Sequence, residues 1–259
     1  MTAPERRKII LEHLKNQEFS TSEELASLTG ASLATVRRDL VELSRQKLII
    51  KNYGSVRAID YEDTCGPITS SHREDPYYEE KEAIARQASK LITEGDIIFL
   101  GSGLTCNLLA KKIKNLTNIT IVTTNINAVN ELAVPDSKIS ILLLGGNVNV
   151  EKNYTETLDE YTIDALKRLY FNKAFFTVDG IQLDTGYSIN NRAQLPLYNY
   201  LVNNSQNVYL LADHHKFDRR AFAHLGNMDL FKHILTTGEL APQYDTFFRE
   251  QGIECIICP

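Results

Sequence analysis

The sequence predicts a chain of two parts: a small N-terminal part of three helices and a β-hairpin, and a larger α/β part built on a mostly parallel sheet. Three observations support this fold class. The first sixty residues show helical apolar spacing followed by two short β-rich runs, the stretch after Asp60 has no periodicity, and beyond it apolar runs of five to seven residues alternate with helical patterns. A length of 259 residues is enough for two domains.

The distribution of charge supports the same division. The chain has a net charge of −5, yet residues 1–60 hold ten basic and eight acidic residues, whereas the remainder holds 18 basic and 25 acidic residues. Six of the basic residues fall within 32–57, against two acidic ones. A small basic segment attached to an acidic body favours binding of a polyanion by that segment.

The first two predicted helices carry recognisable end signals. The first begins near Pro4, a residue that suits a first helical turn. The second begins after Thr21, whose spacing to Glu24 is that of a capping box, and it ends at Gly30. The side chains expected to face the core are Ile9, Ile10 and Leu14 in the first helix and Leu25, Ala26 and Leu28 in the second.

The third predicted helix has two different faces. It follows Ser32, a suitable N-cap, and its apolar face is formed by Leu33, Val36, Leu40 and Leu43. The opposite face carries Ala34, Thr35, Arg38 and Arg45. Such a face fits the major groove of DNA, where arginine pairs with guanine and small side chains allow close approach. An exposed helix face is often only solvated, so the spacing alone leaves both interpretations open.

The segment LIIKNYGSVRAI predicts two short strands around Asn52-Tyr53-Gly54. Three helices and a hairpin within about 60 residues describe a winged helix-turn-helix, and this scaffold favours the DNA interpretation. Arg37, Lys51 and Arg57 are placed for contacts with phosphates.

The segment STSEELASLTGASLATVRRDLVELSRQKLIIKNYGS resembles the N-terminal signature of the DeoR family of bacterial transcription regulators. The resemblance rests on the EELA helix start, on a Ser and a Thr ahead of the run VRRDL, and on a wing that carries glycine. It implies operator contacts by Ser32, Thr35, Arg37 and Arg38. The family usually has a second glycine in the wing, where Ser55 stands here, and this difference concerns the contact of the wing rather than the fold.

The larger part alternates predicted strands with predicted helices. Strands are expected at 97–101, 119–123, 139–145, 174–178, 208–212, 233–237 and 253–257, and helices near 78–93, 104–114, 126–132, 157–169, 190–202 and 242–250. Continuous apolar strands between helices predict a mostly parallel sheet that is covered on both faces. We therefore expect a DNA-binding domain at 1–59, a linker at 60–76 and an effector-sensing domain at 77–259.

Polar or glycine-rich residues follow five of these strands, and ligands of open α/β sheets bind at this carboxyl edge. The turn Gly101-Ser102-Gly103 before a helix suits an anion, and Lys216 offers a point charge to a phosphate. Asp179 or Asp213 can accept hydrogen bonds from sugar hydroxyls. Taken singly, each feature also has a structural explanation, such as a helix N-cap at Asp213.

The resemblance to the DeoR family continues over nearly the whole chain, through the segments EEKEAIARQASKLITEGDIIFLGSGLT, TIVTTN, LLLGGN, VDGI and LADHHKF. It implies a sensor domain similar in fold to ribose-5-phosphate isomerase and coenzyme A transferases, which binds a phosphorylated sugar or a related metabolite and releases DNA. By position it assigns the effector site to Ser102, Gly103, Thr105, Asn125, Gly146, Asp179, Asp213 and Lys216.

Two positions depart from the family pattern. The family commonly has Asp-Ser-Gly-Thr-Thr where this chain has Gly101-Ser102-Gly103-Leu104-Thr105, and it often has a Gly where Thr157 stands. Both changes lie near the expected pocket, and they predict either a different effector or a weakened site.

Two further motifs are set aside. Cys255 and Cys258 have the spacing of a metal or redox motif, but no second ligand pair stands nearby in the sequence, so we expect buried structural cysteines. His214 and His215 are expected to make indirect polar contacts rather than to bind metal. We predict no catalytic residue, no metal and no cofactor.

The leading interpretation is a regulator, a repressor of carbohydrate-metabolism genes, that binds double-stranded operator DNA as a homo-oligomer, a dimer or tetramer. Two alternatives stay open: a sugar-phosphate isomerase with a DNA-binding appendage, and a DNA-binding scaffold with a degenerate sensor. The sequence lacks a membrane-length apolar run and a signal peptide and has only four cysteines, so we expect a cytoplasmic protein without a membrane partner.

Overall fold

The structure, a computed structural model, describes residues 2–16, 20–46, 48–52, 55–58, 75–151 and 154–259. The chain divides into two compact units, Met1–Thr69 and Ser70–Pro259. The predicted linker at 60–76 lies almost wholly outside the described residues, so its limits stay a prediction. In the described part of the chain, no helix has the length and apolarity needed to cross a membrane.

The N-terminal unit is the winged helix-turn-helix that the sequence predicts. Its elements are α1 (Ala3–Asn16), α2 (Ser22–Thr29), α3 (Leu33–Arg45), β1 (Ile49–Asn52) and β2 (Ser55–Ala58). β1 and β2 pair antiparallel, and a further bridge joins Ser20 to Val56 of β2. Tyr53 and Gly54 of the predicted turn lie outside the described residues.

Local signals set the ends of these helices as expected. The Thr21 hydroxyl accepts a hydrogen bond from the Glu24 backbone at 3.2 Å, and the Glu24 carboxylate accepts one from the Thr21 backbone at 2.8 Å, which is a complete capping box. Gly30 ends α2 at φ +62°, in the left-handed region that favours glycine. The Ser32 hydroxyl caps α3 by accepting from the Thr35 backbone at 3.3 Å.

The core of this unit departs from the predicted set at four positions, since Ile9, Ala26 and Leu33 are only half-buried and Leu28 is exposed. The buried side chains are Ile10, Leu14, Leu25, Val36, Leu40, Leu43, Ile49 and Val56. Leu28 was expected inside but is 45% exposed. The buried face of α2 is formed by Leu25 and Thr29, which are four residues apart and therefore lie on the same side of the helix. The Thr29 hydroxyl donates to the Leu25 carbonyl at 2.7 Å. Leu28 lies at the border of this face, and its side chain reaches solvent.

The C-terminal unit is built on a parallel sheet of seven strands. These are β3 (Ile97–Leu100), β4 (Thr117–Thr123), β5 (Lys138–Leu143), β8 (Phe171–Phe176), β11 (Ser205–Leu211), β13 (His233–Thr236) and β14 (Glu254–Ile257). Their order is β14-β13-β11-β8-β3-β4-β5, and every neighbouring pair is parallel. All seven correspond to strands that the sequence predicts.

Six helices of the described residues accompany the sheet: α4 (Tyr78–Ser89), α5 (Leu104–Ile113), α6 (Ile126–Leu132), α7 (Glu160–Leu166), α8 (Leu195–Asn204) and α9 (Pro242–Glu250). The central strands are buried on both faces, and their side chains alternate between two cores. Ile98 packs with α4, α5 and α6, whereas Phe99, its neighbour in β3, packs with α7, α8 and α9.

Five short strands were not predicted. β6 (Val148–Val150) pairs antiparallel with β7 (Thr155–Thr157), and β9 (Gly180–Gln182), β10 (Gly186–Ile189) and β12 (Ala223–Gly226) form a small antiparallel sheet. The pattern near 157–169 gave a helix that is too long, since β7 occupies its start and the helix begins only after the N-cap Asp159.

The strand order creates a switch point in the middle of the sheet. From β3 the chain continues outward through β4 and β5 on one side, whereas β8, β11, β13 and β14 lie on the other side. Crevices at such points, outside the carboxyl ends of the strands, are the usual ligand sites of open α/β sheets. The turns that leave β3 and β8 therefore lie where a ligand is expected.

Candidate DNA interface and ligand site

The outer face of α3 presents two arginines. Ala34, Arg37 and Arg38 are exposed, and Thr35 is half-buried next to the N-cap Ser32. The Arg38 side chain makes no hydrogen bond or ion pair that involves another described residue. Arg37 lies 3.9 Å from the Glu23 carboxylate of α2, and both side chains are mostly exposed. Both guanidinium groups are thus open to a partner outside the chain.

Arg45 differs from these two residues. Its guanidinium donates two hydrogen bonds to Glu42, from Nε to Oε2 at 3.0 Å and from Nη2 to Oε1 at 2.6 Å. These bonds lower the pKa of Glu42 to about 2. The predicted wing residues Lys51 and Arg57 lie in β1 and β2, but their side chains are outside what the structure describes.

A buried carboxylate fixes α3 to α1. Asp39 is on the inner side of α3 and is 2% exposed. Its two oxygens accept from Arg6 Nε at 2.5 Å and from Arg7 Nε at 2.9 Å. The two arginines of α1 thereby set the orientation of the helix that presents Arg38.

At the switch point, the turn after β3 is tightly packed. A Cβ atom at Gly101 would lie 2.8 Å from the Cβ of Phe176, and Gly103 adopts φ +107° as it begins α5. The carboxylate that the family commonly has at position 101 would not fit this backbone without a shift of β8. Ser102 and Thr105 are both buried.

The residue most closely associated with Ser102 is Glu156, which the sequence analysis did not single out. Glu156 lies in β7 and is 2% exposed. Its carboxylate accepts from Ser102 Oγ at 2.6 Å, from Gln194 Nε2 at 2.9 Å and from Asn191 Nδ2 at 3.4 Å. Burial raises the pKa of this carboxyl. A carboxyl group from another strand therefore takes the place of the acid missing at position 101.

Backbone contacts explain why β7 reaches this place. Asn125 and Glu156 form an antiparallel bridge, and the Thr157 backbone donates to the Thr124 carbonyl at 2.9 Å. The Thr157 hydroxyl donates to the carbonyl of Leu144. The second departure from the family pattern, Thr157, thus ties β7 to the ends of β4 and β5.

The Asn125 amide is occupied by internal hydrogen bonds. Its Oδ1 accepts from the Ala128 backbone at 3.1 Å, and its Nδ2 donates to the Gly101 carbonyl at 3.0 Å and to Asn107 Oδ1 at 2.7 Å. This buried side chain positions the turn after β3. Whether it also contacts a ligand stays a prediction.

Asp179 and Lys216 approach each other, with Lys216 Nζ 3.6 Å from Asp179 Oδ1. Asp179 Oδ2 also accepts from the Asn190 backbone at 2.8 Å. The next residue, Asn191, donates to Glu156. Through these contacts, the turns after β3, β8 and β11 form one polar network.

Two predicted residues lie apart from this network. Gly146 follows β5 with φ +149°, and a Cβ there would lie 2.8 Å from Asp159 Oδ1, so it packs against the N-terminus of α7. Asp213 is 1% exposed, caps the short 3-10 helix His214–Lys216, and has an oxygen 3.9 Å from Lys81 Nζ. Both have structural roles, and their contact with a ligand stays a prediction.

Each unit also has a surface groove that is lined by residues outside the polar network. One of about 460 Å³ lies between α1 and the end of α3 and includes Arg7 and Leu43, and one of about 300 Å³ includes Leu183 and Met228. Neither brings together the acceptors and the lysine found at the switch point. We therefore place the candidate site by its chemistry and topology.

Of the two cysteines near the end of the chain, Cys255 lies in β14 and Cys258 directly follows it. Cys258 is buried and Cys255 is half-buried. Burial raises the pKa of each thiol to about 11, so both remain thiols near neutral pH.

Comparison with known proteins agrees with both halves of the structure. Residues 6–62 match the DeoR-like helix-turn-helix domain, and residues 77–238 match the DeoR C terminal sensor domain. The chain is 28% identical to the glycerol-3-phosphate regulon repressor of Escherichia coli (strain K12), over 91% of each chain. It is 30% identical to the HTH-type transcriptional repressor GlcR of Bacillus subtilis (strain 168), over 99% of this chain and 97% of that protein.

Among solved structures, the chain matches the ribose 5-phosphate isomerase A of Methanocaldococcus jannaschii at 18% identity, with a TM-score of 0.38, over 54% of this chain and 55% of that one. The curated relatives are named as transcription regulators, so the isomerase alternative is not supported. The chain belongs to the DeoR family and is a DNA-binding transcription regulator, with an N-terminal helix-turn-helix domain and a C-terminal sensor domain.

Proposed function

We propose that this regulator represses genes of carbohydrate metabolism and that a phosphorylated sugar or a related metabolite, bound at the carboxyl edge of the sheet, controls its binding to operator DNA. The observation that carries this proposal is the polar network at the switch point, in which Ser102, Glu156 and Asp179 converge with one lysine, Lys216. The printed names of two relatives, a glycerol-3-phosphate regulon repressor and a transcriptional repressor, support the class of regulation.

On the DNA side, α3 enters the major groove and Arg38 contacts base edges, because its side chain is exposed and unpaired among the described residues. Thr35, Ala34 and Ser32 allow close approach at the start of the helix. Arg37 contacts a phosphate, as do the wing residues Lys51 and Arg57. Arg45 contributes less, since Glu42 already neutralises it.

On the ligand side, Lys216 supplies charge to the phosphate, and the turn of Ser102 and Gly103 at the start of α5 supplies hydrogen-bond donors. Asp179 accepts hydrogen bonds from sugar hydroxyls. Glu156 accepts hydrogen bonds from hydroxyls in the same way, as it already does from Ser102 Oγ. Because Lys216 is the cation of this network, the phosphate lies at its Lys216 end.

Ligand binding and DNA binding are coupled if the ligand binds one arrangement of the sensor domains more tightly than another. A single helix-turn-helix domain offers a small interface with DNA, so we propose that the regulator acts as a homo-oligomer of at least two chains.

The test is release of DNA by a panel of phosphorylated sugars and polyols. A duplex selected by the chain from a random pool is labelled, and its fluorescence anisotropy is measured as each compound is added. We expect one member of the panel to release the duplex and to raise the melting temperature of the chain, while its unphosphorylated form does neither. If no member changes either quantity, the sensor is degenerate and the regulator is a scaffold that binds DNA without a phosphorylated effector.

A further inference from the structure

A cluster of two histidines and a glutamate lies where the start of α4 meets the turn after β11. Glu80 is in the first turn of α4, and His214 and His215 belong to the short 3-10 helix that follows β11. One ligand atom from each of the three side chains lies within 4.8 Å of the other two. His214 Nδ1 donates to Glu80 Oε2 at 2.5 Å.

The spacing suits a metal ion. Ligands about 2.0 Å from a tetrahedral zinc ion lie roughly 3.3 Å from one another. The His214–Glu80 separation of 2.5 Å is shorter than this value, and the other two separations are at most 4.8 Å. Small side-chain rotations would therefore bring the three atoms to the coordination distance. Two imidazoles and one carboxylate are a donor set for zinc and its borderline neighbours rather than for Mg²⁺ or Ca²⁺.

The surrounding residues hold the three side chains in place. The Thr237 hydroxyl donates to Glu80 Oε2 at 2.6 Å, and the His215 ring lies against Tyr77 with ring centroids 3.4 Å apart. Such outer contacts orient the ligands of metal sites. The side chain of His214 is 43% exposed, so an ion can enter from solvent and keep a water molecule as its fourth ligand.

One atom of the cluster lacks a partner. His215 Nδ1 is buried and has no hydrogen-bond partner in the described part of the chain. A buried nitrogen without a partner is costly, and coordination through this atom would remove the cost.

The local charge favours a cation over an anion. Asp75 and Asp213 lie beside the cluster, and Lys81 is held between them, with its Nζ 2.7 Å from Asp75 and 3.9 Å from Asp213. Together with Glu80, the three acidic groups outnumber the two lysines nearby, Lys81 and Lys216. A phosphate at the two histidines would face the Glu80 carboxylate directly.

We propose that Glu80, His214 and His215 form a binding site for a divalent transition metal of the zinc type, with one open coordination position. This proposal is independent of the proposed effector, since it rests on the ligand set alone. It replaces the indirect polar contacts that the sequence predicts for the two histidines.

The test uses the full-length chain without an affinity tag, stripped of metal by chelation. We expect one equivalent of Co²⁺ to give visible absorption bands of a site with nitrogen and oxygen ligands, and Zn²⁺ to displace it in calorimetric titration. Glu80→Gln, His214→Gln and His215→Gln are each expected to weaken Zn²⁺ binding by at least about tenfold. Because His215 also packs on Tyr77, far-UV circular dichroism checks each fold, and the more exposed His214 and Glu80 decide the result if His215→Gln unfolds.

His233→Gln is the matched control. His233 Nδ1 lies 2.8 Å from Glu254, but among the described residues this pair has no third ligand, so its loss should leave Zn²⁺ binding unchanged. The proposal is overturned if no stoichiometric binding occurs, or if binding survives in both Glu80→Gln and His214→Gln. It is also overturned by an intense thiolate band that vanishes in Cys255→Ser, since the metal would then belong to the cysteines.

Discussion

At the scale of single residues, Arg38 is the side chain expected to carry most of the base recognition. In Arg38→Ala we expect a loss of about 1–3 kcal/mol of operator affinity and a weaker preference for the operator over scrambled duplex. Arg45→Ala is the control, because Glu42 already binds that guanidinium. For each variant, fluorescence anisotropy at one fixed salt concentration measures the affinity for the operator and for scrambled duplex. Undiminished operator affinity in Arg38→Ala would remove this residue from the set that contacts bases.

Glu156 gives a prediction about pH. Burial raises its pKa in the folded chain above 4.5, its ordinary value, so the folded state keeps the proton longer than the unfolded state does. The retained proton thus contributes to the free energy of unfolding. This contribution is complete below about pH 4.5 and is lost as the pH rises through the folded pKa. A glutamine at position 156 does not titrate, so Glu156→Gln does not lose free energy of unfolding in this way.

We therefore expect the stability of Glu156→Gln relative to the natural chain to increase between about pH 5 and about pH 8, as measured by urea unfolding. The exposed Glu160 supplies the control, since Glu160→Gln should show no such trend. A difference in unfolding free energy that is constant with pH would contradict a raised pKa at Glu156.

The same residue shows the limit of sequence analysis at this scale. Ser32 and Thr21 could be predicted as helix caps because their partners are three residues away. The partners of Glu156 are 54 and 38 residues away, at Ser102 and Gln194, and no local spacing signals them. Contacts of that range depend on the strand order, which the sequence did not provide.

At the scale of elements, the contact of α1 with α3 sets the position of the proposed recognition helix. Asp39→Asn removes the charge that Arg6 and Arg7 share, and we expect it to lower the free energy of unfolding of this unit by about 1–3 kcal/mol. Glu42→Gln also breaks an ion pair of α3, but its partner Arg45 is mostly exposed, so we expect a much smaller change than in Asp39→Asn.

Scanning calorimetry of the full chain compares the two variants. Equal effects of Asp39→Asn and Glu42→Gln would show that burial of the carboxylate does not matter, and the proposed orientation of α3 by Asp39 would then fail.

The strands that could be predicted are those with a continuous apolar run. The strands of the seven-stranded sheet have such runs because helices cover both faces. The strands that were missed, such as β6 and β7, are three or four residues long and mix polar with apolar residues, and a period of two cannot be recognised over that length. It is β7 that carries Glu156, so the missed element is also the one that completes the candidate site.

At the scale of the whole molecule, regulation requires that a ligand bound in one unit changes DNA binding by the other. Such coupling amounts to about 1–3 kcal/mol in most allosteric proteins. A variant that damages only the ligand site should therefore keep its affinity for DNA and lose its response. Loss of both properties together would indicate general unfolding instead.

Lys216→Ala is the variant that separates these outcomes. Lys216 lies in the sensor unit, and its Nζ is 3.6 Å from Asp179, so its removal takes away the cation proposed to bind phosphate while α3 is untouched. With the compound that best releases DNA from the natural chain, we expect at least about a tenfold higher concentration for half-release and operator affinity within about twofold. Lys167→Ala is the control, because Lys167 directly follows α7, is exposed and pairs with the exposed Asp164, so its loss should leave both quantities unchanged. Release of DNA by Lys216→Ala at the original concentration would exclude this lysine from the effector site and would place the phosphate elsewhere on the carboxyl edge.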